Sequence, residues 1–93
     1  MKEFIFELQR FKTIENTKNN KLINGTSDKD SIYNELGVNV TINAGGGNDA
    51  IDNSGGEATI NAGAGNDSID NSSDSVSIDA DVGNDSIDNY GDS

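Results

Sequence analysis

The chain has no cysteine, no histidine, no proline and no tryptophan. Without cysteine there is no disulfide and no thiolate metal site. Without histidine, the usual zinc and copper sites and imidazole acid–base catalysis are set aside. Apolar residues are scarce, at 31% of 93 residues with 5% aromatic, so at most one small domain is expected and a conventional core is in question. Cations are scarce too: six Lys and Arg face 17 Asp and Glu, for a net charge of −11 and a pI near 4.1. That balance argues against nucleic acid and anionic membrane surfaces as partners. No apolar run approaches ~20 residues, so no membrane-inserted helix is expected. The stretch from Met1 to Leu8 carries one Lys and two Glu, a poor pattern for a cleaved signal peptide.

Composition alone would describe an acidic disordered tail, because little apolar surface is available to offset chain entropy. The order of the residues says otherwise. Ten isoleucines stand at 5, 14, 23, 32, 42, 51, 60, 69, 78 and 87. Every gap is nine residues except that from Ile32 to Ile42, which is ten. A period of nine without a 3.6-residue echo is no amphipathic helix, and a fixed period means stacked units.

The nonapeptides alternate between two kinds, so the unit is 18 residues. One kind runs from Ala44 to Asp52, from Ala62 to Asp70 and from Ala80 to Asp88, with a degraded copy from Gly25 to Tyr33. The other runs from Asn53 to Asn61 and from Asn71 to Asp79, with an earlier copy from Asn34 to Asn43 that carries the extra residue. Pieces such as Ser68, Ile69 and Asp70 point one apolar side chain in and two polar ones out. The residues between them must reverse the chain, and glycine supplies the backbone freedom. The expected fold is all-β: a parallel β-roll or β-solenoid with 18-residue coils, two short strands per coil, and two facing isoleucine ladders.

Stacking also aligns Asp30, Asp49, Asp67 and Asp85 at one turn. Carboxylates ~4.8 Å apart repel by roughly 0.9 kcal/mol even in bulk water. A hard cation between turns would convert that cost into binding, and carboxylate and carbonyl oxygens suit Ca²⁺. The competing reading is that these aspartates only cap turns through their own hydrogen bonds.

The first kind of repeat resembles the RTX (hemolysin-type) nonapeptide, G-G-x-G-x-D-x-U-x, the signature of a calcium-binding parallel β-roll. Residues 44–52 and 62–70 match except at the first Gly, which is Ala; residues 80–88 also carry Asp81 at the second. In residues 25–33 the first Gly is kept, but Asp28 replaces the third. The resemblance covers residues 23–93, about four coils, and leaves 1–22 as an N-terminal cap segment. It implies calcium ligands from the carboxylates of Asp49, Asp67 and Asp85, with Asp30 as the weakest match. It also implies backbone carbonyls near Gly45, Gly47, Gly63, Gly65 and Gly83. Two to three ions in one row on one edge are implied, as is a module exported unfolded that folds outside the cell or at its surface.

The other edge departs from that pattern, because Val40, Ala58 and Val76 hold the place of the Asp. A metal-free turn held by hydrogen bonds is expected there. Asn34, Asn53, Asn71 and Asn89 are candidates for one amide column, and Asn48, Asn66 and Asn84 for a second at the acidic edge. Asp52, Asp70 and Asp88 form an outward acidic column that is read as a solvated face.

Residues 1–23 carry a net charge of +2 and residues 24–93 one of −13. The first segment holds all three Phe: Phe4, Phe6 and Phe11. Phe4, Phe6 and Leu8 alternate as a strand, while Phe4, Leu8 and Phe11 also fit a helix face, so both remain open for residues 3–11. Solenoid ends need caps, and no apolar cap follows Ile87. The main functional expectation is a calcium-stabilised extracellular structural module, not an enzyme. The alternative is a fibre subunit stacking end to end, acidic end on basic end. An ice-binding face is disfavoured, because the outward pairs Thr41/Asn43, Thr59/Asn61 and Ser77/Asp79 are irregular and acidic.

Overall fold

The computed structural model describes residues 12–91. The strand-or-helix alternatives for residues 3–11, and the capping expected of that stretch, lie outside the described residues.

Short strands succeed one another along the chain: β1 (Lys12–Asn16), β2 (Leu22–Asn24), β3 (Asp30–Asn34), β4 (Val40–Asn43), β5 (Ala50–Asn53), β6 (Ala58–Asn61), β7 (Ser68–Asn71), β8 (Val76–Asp79) and β9 (Ser86–Asn89). Among the described residues there is no helix. The odd strands form one parallel sheet, β1-β3-β5-β7-β9, and the even strands the other, β2-β4-β6-β8. The chain is a parallel β-solenoid of about four turns, each coil giving one strand to each sheet.

The register follows isoleucine. Ile14, Ile32, Ile51, Ile69 and Ile87 align in one sheet, and Ile23, Ile42, Ile60 and Ile78 in the other. Partners are 18 residues apart except across one coil, where Leu22 meets Thr41 and Ser31 meets Ala50. The extra residue lies in the turn from β3 to β4, where the ten-residue gap between Ile32 and Ile42 implies it. β1 pairs with β3 residue for residue, so Ile14 already stands in the ladder.

From β3 onward the coils repeat one arrangement of inward residues. On the odd sheet, Asp30, Ile32 and Asn34 of β3 all point inward and are buried. Facing them, Val40, Ile42 and Ala44 are buried too. The core is thus an isoleucine centre flanked by a column of Asp on one edge and a column of Asn on the other. Burying an isoleucine side chain contributes about 1.5–3 kcal/mol, so the ladders are the main apolar source of stability. Ala44 and Ala62, which depart from the glycine of the nonapeptide, are also explained. Both are buried, and their N–H groups donate to the carbonyls of Asn61 and Asp79 at 2.9 Å, extending the ladder past the strand ends.

Burial fades towards the last coil. Ile69 is buried, Ile78 half-buried and Ile87 45% exposed. Nothing among the described residues stacks on β9.

Ile69 lies between Ile51 and Ile87 in its ladder. Ile69→Asp would place an unpaired carboxylate in a core two side chains wide, a cost of several kcal/mol that nothing nearby offsets. We expect the variant to show no β-sheet circular dichroism under conditions in which the parent does. A native-like spectrum would mean that the isoleucine phase is not the core.

Candidate functional site

The edge that joins even strands to odd strands carries the glycine-rich turns. Gly45, Gly47, Gly63, Gly65 and Gly83 all have positive φ, between 85° and 124°. Asp81 holds 67° at the place of Gly45 and Gly63 in earlier coils, which explains how the motif tolerates a non-glycine there. Close approach demands glycine as well. A Cβ on Gly63 would collide with the carbonyl oxygen of Gly45, and one on Gly65 with that of Gly47. Successive turns therefore nest backbone on backbone.

Inside these turns the aspartates form the expected column. Asp30, Asp49 and Asp67 are buried and Asp85 is half-buried. The carboxylates of Asp49, Asp67 and Asp85 each accept the main-chain N–H of the aspartate one coil earlier. Asp30 N–H donates to Asp49 Oδ1 (2.8 Å), Asp49 N–H to Asp67 Oδ1 (2.9 Å) and Asp67 N–H to Asp85 Oδ1 (2.8 Å). The second oxygens of Asp49 and Asp67 are buried without any hydrogen-bond partner.

Asp30 differs. The N–H of Thr26 donates to its Oδ2 at 2.7 Å, and the Thr26 hydroxyl donates to its Oδ1 at 2.9 Å. The degraded turn thus satisfies its own carboxylate, a clamp that the sequence reading missed although Thr26 stands where the next two coils have Gly45 and Gly63. The register also puts Lys12 at the position that Asp30 holds one coil later.

The carbonyls of this edge are equally distinctive. Among the described residues, no hydrogen bond is donated to the carbonyl oxygens of Gly45, Gly47, Gly63 or Gly65. On the opposite edge, Gly37 O accepts from Gly56 N–H at 2.9 Å and from Asn34 Nδ2 at 3.0 Å, and Ser73 O accepts from Asn71 Nδ2 at 2.8 Å. One edge is internally satisfied, and the other leaves both carboxylate and carbonyl oxygens over.

The satisfied edge is built on an asparagine ladder. Asn16 Nδ2 donates to Asn34 Oδ1 (2.8 Å), Asn34 to Asn53 (2.6 Å), Asn53 to Asn71 (2.8 Å) and Asn71 to Asn89 (2.7 Å). The expected column of Asn34, Asn53, Asn71 and Asn89 is present, and Asn16, one period earlier, heads it. Removing a member would strand buried amide partners, at about 1–3 kcal/mol. Gly37 is buried beside this ladder, where a Cβ would lie 2.6 Å from Asn16 Nδ2 and 2.8 Å from Asn34 Oδ1. The second column bonds differently: Asn66 N–H donates to Asn48 Oδ1 (2.8 Å) and Asn84 N–H to Asn66 Oδ1 (2.9 Å). Asp52, Asp70 and Asp88 are in register and exposed on the outer face.

Protein-family models, curated proteins and solved structures contain no match to this chain. Its chemistry has to be read from the column itself.

A stack of aspartates has a distinctive electrostatic problem. Burial pushes the Asp49 carboxyl up to about 7, against the bonded N–H of Asp30, and the charges of Asp30 and Asp67 add to the rise. Asp67 is raised in the same way: burial leads, the N–H of Asp49 opposes it, and the charge of Asp85 reinforces it. Among the described residues no three acidic side chains gather at one point. A cation here would therefore take one or two carboxylates and complete its shell from carbonyls, as an oxygen-seeking ion does.

The pH dependence has a definite sign. A carboxyl raised on folding favours the folded state in its protonated form. Its stabilisation is full below the ordinary carboxylate range and is lost as pH rises through about 7. In the presence of chelator, the denaturation midpoint is expected to climb as pH falls through that window. A midpoint that drops steadily over the same window would contradict the buried column.

Proposed function

We propose that this protein is a calcium-binding, calcium-stabilised structural repeat module that acts outside the cell or at its surface. The observation that carries the reading is the pair of buried, unpartnered carboxylate oxygens on Asp49 and Asp67. They occur in turns whose glycine carbonyls also lack donors. An all-oxygen donor set of this kind suits a hard divalent cation, and calcium accepts its irregular geometry better than magnesium does. The likeness of these turns to the RTX nonapeptide points the same way.

Asp49, Asp67 and Asp85 would supply carboxylates, and Gly45, Gly47, Gly63, Gly65 and Gly83 would lend carbonyls from the same turns. A bound cation would supply the positive charge that the column lacks. Asp30 is the poorest donor, because Thr26 already occupies both of its oxygens. Two ions in one row, between the 49/67 and 67/85 turns, fit the residues best. The asparagine edge needs no ion. Cation binding would then be linked to folding, since the separated turns of an unfolded chain present no site.

Calcium at about millimolar concentration should raise the denaturation midpoint of the parent, and magnesium should do so weakly. Asp67→Asn keeps an acceptor for the Asp49 N–H but removes charge from both proposed sites. It should weaken the calcium response by roughly tenfold or more, while Ser73→Ala, on the asparagine edge, should leave it nearly unchanged. Equal responses from the two variants would remove this assignment.

A second reading, end-to-end stacking into fibres, is favoured by the exposure of Ile87, an inward ladder residue of β9 on which no described residue stacks. The neighbouring Val82 and Tyr90 are exposed as well. Strand edges are pairing templates, and another coil laid on β9 would continue both the isoleucine and the asparagine ladders. Sedimentation in excess calcium should show concentration-dependent association. A sharp monomer at high protein concentration would exclude the fibre.

A further inference from the structure

The dipeptide Asn24–Gly25 occurs once in the chain. Asn followed by Gly is the pairing most open to spontaneous ring closure, because no side chain shields the following peptide nitrogen. We propose that Asn24 is a site of spontaneous deamidation and isoaspartate formation that the folded stack holds closed.

The reaction balances without a catalyst. The Gly25 peptide nitrogen loses its proton and attacks Cγ of Asn24. Ammonia leaves with the side-chain nitrogen, and a five-membered succinimide remains. Water then opens the ring at either carbonyl, giving aspartate or isoaspartate. No oxidant or reductant is needed.

The folded chain opposes the first step in three ways. Gly25 N–H donates to the Asn43 carbonyl at 2.8 Å, so the attacking nitrogen is held in the ladder. Asn24 ends β2 and pairs with Asn43 in parallel register. Parallel strands hold ψ near about +115°, which turns the nitrogen away from the side-chain carbonyl. The side chain is tethered too: Asn43 Nδ2 donates to Asn24 Oδ1 at 3.4 Å. Asn24 is nonetheless exposed, so water reaches it as soon as the strand opens.

Glycine cannot readily be exchanged for a safer residue. A Cβ at position 25 would run into the Ala44 carbonyl oxygen and would lie 2.6 Å from Asp30 Oδ2. The packing that makes the first acidic turn therefore also imposes the labile dipeptide. The product has a structural consequence. Isoaspartate carries the main chain through the former side chain and adds one backbone carbon immediately before Gly25. Thr26, whose N–H and hydroxyl hold Asp30, would shift. An aged chain loses the clamp at the head of the acidic column.

The inference rests on the fold. Only its expected dependence on calcium rests on the proposed function. The test ages the full chain in mildly alkaline buffer in four states: chelator, calcium, and each of these with denaturing urea. Circular dichroism is recorded for each. Trypsin releases residues 22–29 as one peptide and leaves 30–93 uncut, because Lys21 and Lys29 flank the first and no Lys or Arg follows. Mass spectrometry follows deamidation of each fragment, and isoaspartyl methyltransferase labelling reports isoaspartate.

In urea, the 22–29 peptide is expected to deamidate first and to label. In whichever state shows the β spectrum, its rate should fall by roughly tenfold or more. Asn24→Gln, whose ring closure is far slower, should abolish labelling of that peptide. Equal rates at Asn24 in folded and urea-treated chains would overturn the proposal, as would faster deamidation in the 30–93 fragment. Protection that follows the β spectrum regardless of calcium would support this proposal and count against calcium-driven folding.

Discussion

Parallel stacking at one strand spacing sets each inward side chain against its counterpart in the next coil. A column of identical residues is stable only if that residue can satisfy its own kind, and the three inward columns meet this demand in different ways. Isoleucine needs only dispersion and the exclusion of water. Asparagine carries both donor and acceptor, so an amide column bonds to itself from Asn16 to Asn89. Aspartate ionised at neutral pH carries acceptors alone, and no column of it can be self-sufficient.

The backbone supplies part of what the aspartates lack. One oxygen of each later carboxylate takes a main-chain N–H from the coil before it, which locks the turn geometry. The other oxygen of Asp49 and of Asp67 is left over. Protons, a cation or structural loss are the available responses, and the raised pKa of Asp49 and the affinity proposed for calcium express the same deficit. At the first coil the deficit is closed internally by Thr26. The two edges of one solenoid thus differ in kind: one is complete, and the other depends on its solution conditions.

Much of this was legible because the period is explicit. The isoleucine spacing implies the coil length, the sheet phase, the two facing ladders and the place of the inserted residue in the turn from β3 to β4. The asparagine ladder was legible from the recurrence of Asn34, Asn53, Asn71 and Asn89. Asn16 keeps the same phase and was the available signal for its missing head. What could not be read was which atom bonds to which. The Thr26 clamp, the N–H donors to each Asp Oδ1 and the role of Ala44 and Ala62 as buried strand extensions depend on turn conformation, which a nine-residue period leaves open. The departure of those alanines from glycine in the motif reads as degradation in one dimension and as core packing in three.

The architecture follows from the isoleucine period alone, because a repeated apolar position can be buried only by stacking like on like. The same period puts carboxylates in a shared column. The burial of that column, the leftover oxygens on Asp49 and Asp67 and the satisfied state of Asp30 emerge only in the folded stack. Register follows from periodicity, but desolvation and hydrogen-bond partnership follow from the exact approach of one turn to the next, which at this edge is governed by glycine φ angles and carbonyl contacts.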